Sequence, residues 1–234
     1  MTGRLIVIDG LDGSGKQTQA KLLCDRLRRE NVPVRAVSFP DYAEPSSALV
    51  KMYLSGEFGQ ADDVGPYAAS SFYAVDRYAS YQRFWKADYL SGHTIVADRY
   101  ATSNLIHQMS KLPPDEWPAF HAWMEDFEYG KLGLPRPDAV VYLDMHPDVS
   151  RALLSGRYHG DESKRDIHEA NFAYMRRCRV CALYAAEHFG WRVVRCSDER
   201  RAFPVEEIAE EVEWVDDFDA KTGSPAAFDL ASLV

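Results

Sequence analysis

No run of 18 apolar residues occurs anywhere in the 234-residue chain, so no membrane span is expected. The N-terminus has no charged-then-apolar leader before its first strand-like run, and export is not expected either. Cysteine is scarce, with only Cys24, Cys178, Cys181 and Cys196. Cys178-x-x-Cys181 has no second pair to complete a metal site and lies within a helical pattern. The four therefore read as reduced thiols in a cytoplasmic compartment. An excess of basic residues is also missing. The net charge of −9 argues against a nucleic-acid partner. Residues 197–234 hold 11 acids and 3 bases, whereas the other 25 acids and 24 bases nearly cancel. The acidity thus belongs to the C-terminal end and leaves the rest of the surface free to bind anions. No internal repeat or guanine-reading Asn-Lys-x-Asp is present, and the latter absence argues against a switch GTPase.

What is present centres on Gly10-Leu11-Asp12-Gly13-Ser14-Gly15-Lys16-Gln17-Thr18. It follows the apolar run Leu5-Ile6-Val7-Ile8 and precedes a segment with Ala20, Leu22, Leu23 and Leu27 at helical spacing. Strand, glycine loop and helix are the setting in which G-x-x-x-x-G-K binds phosphate. The glycines let backbone N–H groups converge, the helix N-terminus adds partial positive charge, and Lys16 adds a full one. The residue after Lys16 is Gln17, where a magnesium-ligating Ser or Thr is usual. Thr18 is then a candidate for the α-phosphate. Apart from Lys16 this loop carries no basic residue.

Further strands are expected at Val34–Phe39, Thr94–Ala97, Ala139–Leu143 and Trp191–Cys196. Helices are expected at 62–90, 115–129, 147–154, 166–189 and 205–215. Short apolar strands alternating with helices predict an α/β fold, a five-stranded parallel sheet with helices on both faces. The aromatics of 62–90 read mostly as core or subunit interface. Asp98-Arg99-Tyr100 falls at a strand's carboxyl end, where open parallel sheets bind ligands. Residues 155–166 contain Gly156, Gly160, Arg157, Lys164 and Arg165 and read as a short mobile lid. One domain is expected over 1–215, with a small-residue, acidic tail over 216–234.

Phe39-Pro40-Asp41-Tyr42, Tyr73-Ala74-Val75-Asp76-Arg77 and Asp98-Arg99-Tyr100-Ala101-Thr102-Ser103-Asn104, together with the glycine loop and the lid, occur in an order and spacing that resemble the thymidylate kinases. This resemblance implies a P-loop kinase fold and transfer of the γ-phosphate of ATP to dTMP, with magnesium as cofactor and a homodimer as the assembly. It implies that Lys16 and the loop amides hold the donor phosphates. Asp12 would accept a hydrogen bond from the sugar 3′-hydroxyl, and Arg99 would neutralise the acceptor phosphate, with Tyr42 nearby. Tyr73 would stack on thymine, Arg77 would reach a base oxygen, Asn104 would read the base edge, and Phe39 and Pro40 would wall the methyl. His107 and His168 stand where some relatives have tyrosines near the sugar. Asp12, Asp98 and Glu169 are the candidate magnesium anchors, and Asp98 would order either Arg99 or the hydrated metal. With no basic residue in the loop besides Lys16, the resemblance is to members whose lid supplies catalytic charge: Arg157 first, then Arg165, then Lys164. Two alternatives compete with this reading. One is another nucleoside monophosphate or deoxynucleoside kinase, and the other is a non-catalytic nucleotide-binding module.

Overall fold

A computed structural model describes residues 2–157 and 172–213. Its centre is β1 (Leu5–Gly10), buried at every position. Strands β2 (Val34–Ser38), β3 (Thr94–Asp98), β4 (Ala139–Asp144) and β5 (Arg192–Arg195) join it. All pairings are parallel, in the order β2-β3-β1-β4-β5. Such a sheet needs cover on both faces, and successive residues of β1 supply the two cores. Leu5 and Val7 point into one core with Trp85, Phe120 and Tyr174, while Ile6 and Ile8 point into the other with Ala20, Leu23 and Leu27. Fully burying each such large side chain stabilises the fold by about 1.5–3 kcal/mol.

The helices follow the apolar pattern, with informative departures. Helix α1 (Lys16–Arg29) lays Ala20, Leu23, Cys24 and Leu27 on the sheet. Helix α2 (Ala48–Leu54) comes next, and α3 (Pro66–Ser80) begins four residues later than expected. Gly65 caps α3 and Pro66 occupies its first turn, where the missing proline N–H costs nothing. The region to Leu90 is not one helix. A π-helical turn at Tyr81–Trp85 separates α3 from α4 (Lys86–Leu90).

Helix α5 (Thr102–His107) follows β3 directly. Helix α6 (Trp117–Met124) gives way to a second π-helical turn, Glu125–Lys131, rather than ending at 129. Helix α7 (Pro147–Arg157) continues past the expected end at Leu154, so Ser155–Arg157 are helical backbone and not loop. The rest of the expected lid lies outside the described residues, as does the tail at 216–234. Helices α8 (Phe172–Phe189) and α9 (Val205–Glu213) complete the described chain. Among the described residues no helix is long and apolar enough to cross a membrane. All four cysteines are free and buried.

Candidate active site

The glycine loop turns tightly between β1 and α1. Gly13 and Gly15 have φ of 80° and 88°, values that strain any residue with a Cβ. A Cβ on Gly13 would also meet the Ser150 carbonyl oxygen at 3.0 Å. Helix α7 braces the loop from that side, with Ser150 Oγ donating to the Asp12 carbonyl. Lys16 Nζ donates to the Leu11 carbonyl at 2.8 Å and lies 4.0 Å from Asp12 Oδ1. Burial, aided by the nearby Arg99 cation, lowers the Lys16 pKa to about 8 against the pull of Asp12, Asp98 and Asp9. Gln17 and Thr18 are exposed on the first turn of α1.

Beside the loop lies an open cleft. Asp12, Phe39, Pro40, Tyr42, Tyr73, Arg77, Arg99, Asn104 and His107 all line it, although they come from five separate segments. Leu54, Tyr100, Ser103 and Gln108 complete the wall without having been expected. The loop carrying Phe39–Tyr42 has a cis Phe39–Pro40 bond. It is tied to α3 by buried Asp76, which accepts from Asp41 N at 2.8 Å and Ser46 Oγ at 2.6 Å.

Arg99 adopts a left-handed backbone, φ 67°, at the end of β3. Its N–H donates to the Ile8 carbonyl at 3.0 Å, which ties the turn to β1. Nη2 donates to Asp12 Oδ1, Nη1 lies 3.0 Å from His107 Nε2, and Nη1 is 3.8 Å from Asp9 Oδ1. Burial opposes the Arg99 charge, but Asp12, Asp9 and Asp98 outweigh it and hold the pKa above the usual arginine range. Asp98 is expected to order either Arg99 or a hydrated metal. Among the described residues its one side-chain hydrogen bond joins Oδ2 to Ser38 Oγ at 3.5 Å, while the Arg99 side chain reaches Asp12 and feels Asp98 only electrostatically. Asp98 Oδ1 is buried with no partner among the described residues.

Two residues bonded to the walls of this site escaped the sequence reading. Asp9, fully buried, accepts from Thr102 Oγ1 at 2.8 Å and from Ser103 Oγ, which couples β1 to the start of α5. Burial raises its pKa, and Arg99 is the main opposing influence. Glu128, 0% exposed, accepts from Arg77 Nε at 2.7 Å, Arg77 Nη2 at 2.5 Å and Asn104 Nδ2 at 2.8 Å. A signal for it existed. It continues the stripe Trp117, Phe120, Met124, all buried, and an acid on a buried face requires a cationic partner. Burial works against the Arg77 charge, and Glu128 outweighs it and keeps the Arg77 pKa raised.

His168, Glu169, Lys164 and Arg165 lie outside the described residues, as does the side chain of Arg157. Among the described residues no group of three metal-ligating side chains occurs. Burial drives the Cys178 thiol up to about 12, so it is not a reactive nucleophile.

The family model of thymidylate kinase matches residues 8–208. A thymidylate kinase of Mycobacterium tuberculosis (strain ATCC 25618 / H37Rv) is 31% identical over 197 residues, 81% of this chain and 90% of that one. A thymidylate kinase of Schizosaccharomyces pombe is 32% identical over 165 residues, 70% of each chain. The solved thymidylate kinase of Candida albicans superposes with a TM-score of 0.66 at 21% identity, over 92% of both chains, and shares the fold. The chain belongs to the thymidylate kinase family, the enzymes that phosphorylate dTMP at the expense of ATP.

Proposed function

We propose that the cleft holds dTMP with its base between Tyr73 and the Phe39–Pro40 wall, and its phosphate at Arg99 beside Tyr42. The observation that carries this reading is the convergence on one cleft of aromatic side chains, a buried Arg–Asn pair and a second arginine, Arg99, all next to the glycine loop. The loop amides of Gly10–Gln17, together with Lys16 and Thr18, would hold the ATP phosphates. Phosphoryl transfer demands positioning and charge neutralisation more than covalent chemistry. Arg99 is built for the acceptor side, since its planar fork suits a phosphate. Asp12 accepts from Arg99 at its Oδ1, and a carboxylate has further acceptor sites with which to take the sugar 3′-hydroxyl. Asp12 and Arg99 act on the acceptor, and the lid residues Arg157 and Arg165 are the proposed source of charge at the migrating group.

A hydrated magnesium ion fits this acid-rich corner. The Oδ1 of Asp98, without a partner among the described residues, suits a bound water, and Asp12 is a second acid beside Lys16 and Arg99, with Glu169 a third candidate outside the described residues. Magnesium keeps most of its waters in such sites, so few protein ligands suffice. Once bound it would neutralise donor phosphate charge.

Residues 1–215 are proposed as one kinase domain with a lid near 155–166, and 216–234 as its tail. A homodimer is proposed, supported by exposed Leu49 on α2 and Val75 and Tyr78 on α3. Cytoplasmic residence is proposed from the reduced thiols. An acceptor panel with ADP release as readout tests the site reading. dTMP should be the best acceptor and dUMP weaker, since one methyl in an apolar pocket is worth about 1–3 kcal/mol. Equal rates with dCMP or AMP would overturn the assignment of the cleft.

A further inference from the structure

Glu128 touches two of the proposed base readers and no substrate position. Its side chain hangs from the π-helical turn Glu125–Lys131, held below by Leu134 N donating to the Glu128 carbonyl at 3.1 Å. π-helical turns are frequent at functional sites. Here the turn carries a carboxylate with no solvent exposure.

The hydrogen-bond arithmetic is restrictive. A carboxylate paired with a guanidinium offers acceptors only. Oε2 receives Arg77 Nε–H, while Oε1 receives both Arg77 Nη2–H and an N–H of Asn104. The Asn104 amide therefore has one permitted orientation, since turning it over would set its carbonyl oxygen against Oε1. Among the described residues no partner satisfies Asn104 Oδ1, and Asn104 lines the cleft. The guanidinium is pinned side-on by Nε and Nη2, which leaves Nη1 to donate. Its one protein contact among the described residues is a long 3.4 Å approach to the Tyr100 carbonyl. Glu128 also cancels the arginine charge, so Arg77 meets a ligand as a directed donor and not as an unpaired cation.

Resting on the reading of this cleft as the dTMP site, we propose that Glu128 is the positioning residue that sets base specificity, by aiming the Arg77 donor and fixing Asn104 as acceptor. Thymine presents a carbonyl acceptor at C4 beside a donor N3–H. Cytosine presents the reverse, an amino donor at C4 beside an acceptor N3. A donor from Arg77 next to an acceptor from Asn104 complements the first and opposes the second. Arg77 can only donate, but Asn104 does not encode its half of that order alone, because an unanchored amide satisfies either base by turning over.

The test is Glu128→Gln, with kcat and KM measured on dTMP and dCMP. A glutamine amide cannot accept from all three donors. It relieves the conflict by donating to Asn104, which then turns its own N–H₂ into the cleft. The dTMP-over-dCMP preference in kcat/KM should fall by about tenfold or more, carried by a rise in KM for dTMP while kcat changes little. The double variant Glu128→Gln/Asn104→Asp should regain the preference. The introduced aspartate would accept from the introduced glutamine with one oxygen, face the cleft as an acceptor with the other, and return a negative charge beside Arg77. A purely structural role for Glu128 predicts no such recovery. If Glu128→Gln fails to fold, Glu128→Asp gives the same readout, because it keeps the charge but withdraws the carboxylate by one methylene. An unchanged preference in a folded Glu128→Gln or Glu128→Asp protein overturns the proposal while leaving the cleft assignment intact. Equal use of dTMP and dCMP by the unaltered enzyme overturns both.

Discussion

Arg99 Nη1 meets His107 Nε2 at 3.0 Å, and this contact fixes the imidazole tautomer. A guanidinium only donates, so Nε2 is the bare acceptor and Nδ1 carries the proton, 3.7 Å from Cys178 Sγ. The ring lines the cleft and is also part of the clamp that orients Arg99, with Asp12 as the other arm.

The first prediction follows from that clamp. His107→Phe keeps a ring in the buried place but removes the acceptor. The dTMP affinity should fall about tenfold, roughly 1.4 kcal/mol, because Arg99 loses one of the two side-chain hydrogen bonds that restrain it among the described residues. Thymidine, which lacks the phosphate, should bind the variant and the parent alike. Equal losses for both ligands in a titration would place His107 at the nucleoside and not at Arg99.

The second concerns stability. Glu128→Ala leaves the Arg77 guanidinium buried without its carboxylate and should destabilise the protein by about 3–5 kcal/mol. The double change Arg77→Met/Glu128→Leu removes both charges, and denaturant unfolding should recover most of that loss. dTMP binding should not return with it. Recovered binding would mean that this pair serves packing alone.

The sequence made the donor side and the strand ends legible because their signals are local. A glycine at positive φ, an apolar run and an Asp-Arg pair at a strand end each need only a few neighbouring residues. Asp9 was missed because the apolar run Leu5–Ile8 ends before it, although β1 continues and pairs Asp9 with Tyr142. Glu128 was missed because its partners lie 51 and 24 residues away, and an acidic stretch such as Glu125–Glu128 reads as solvated surface. The late start of α3 was readable in Gly65-Pro66, a capping signal overlooked within a long aromatic pattern. Which group His107 addresses depends on a side-chain direction that no spacing encodes.

The third prediction concerns the lid. The glycine loop has no cation but Lys16, and α7 ends its described course at Arg157, beyond the Ser150 that braces the loop. An arginine delivered to a phosphoryl-transfer site is worth roughly 10³-fold or more in turnover. Arg157→Ala should therefore depress kcat strongly and leave dTMP affinity near normal, since its contact forms mainly in the transition state. Steady-state kinetics on Arg157→Ala, Lys164→Ala and Arg165→Ala separate the three. Near-normal kcat in all of them would return the catalytic charge to Arg99.

The last prediction is a pH dependence with a definite sign. Burial lowers the Lys16 pKa to about 8, so in the free protein the ammonium loses its proton as pH rises through that value. Donor phosphates would restore it, because adjacent negative charge favours the protonated form. ATP binding should then be nearly independent of pH below about 7 and weaken above pH 8, approaching a tenfold loss per pH unit. Calorimetry in buffers of different ionisation enthalpy should detect proton uptake at about pH 8.5 and none at about pH 7. Stability of the free protein should respond in the opposite direction. The unfolded lysine keeps its proton up to its ordinary value of 10.5, so between 8 and 10.5 the unfolded chain binds more protons and this group favours folding as pH rises. Lys111, also lowered to about 8 by burial, titrates in the same window. The difference between the parent and Lys16→Met isolates the contribution of Lys16. The variant should lose both the proton uptake and its share of the rise in stability. ATP affinity that stays constant from about pH 7 to 9.5 in the parent would remove Lys16 as the cation that greets the donor phosphates.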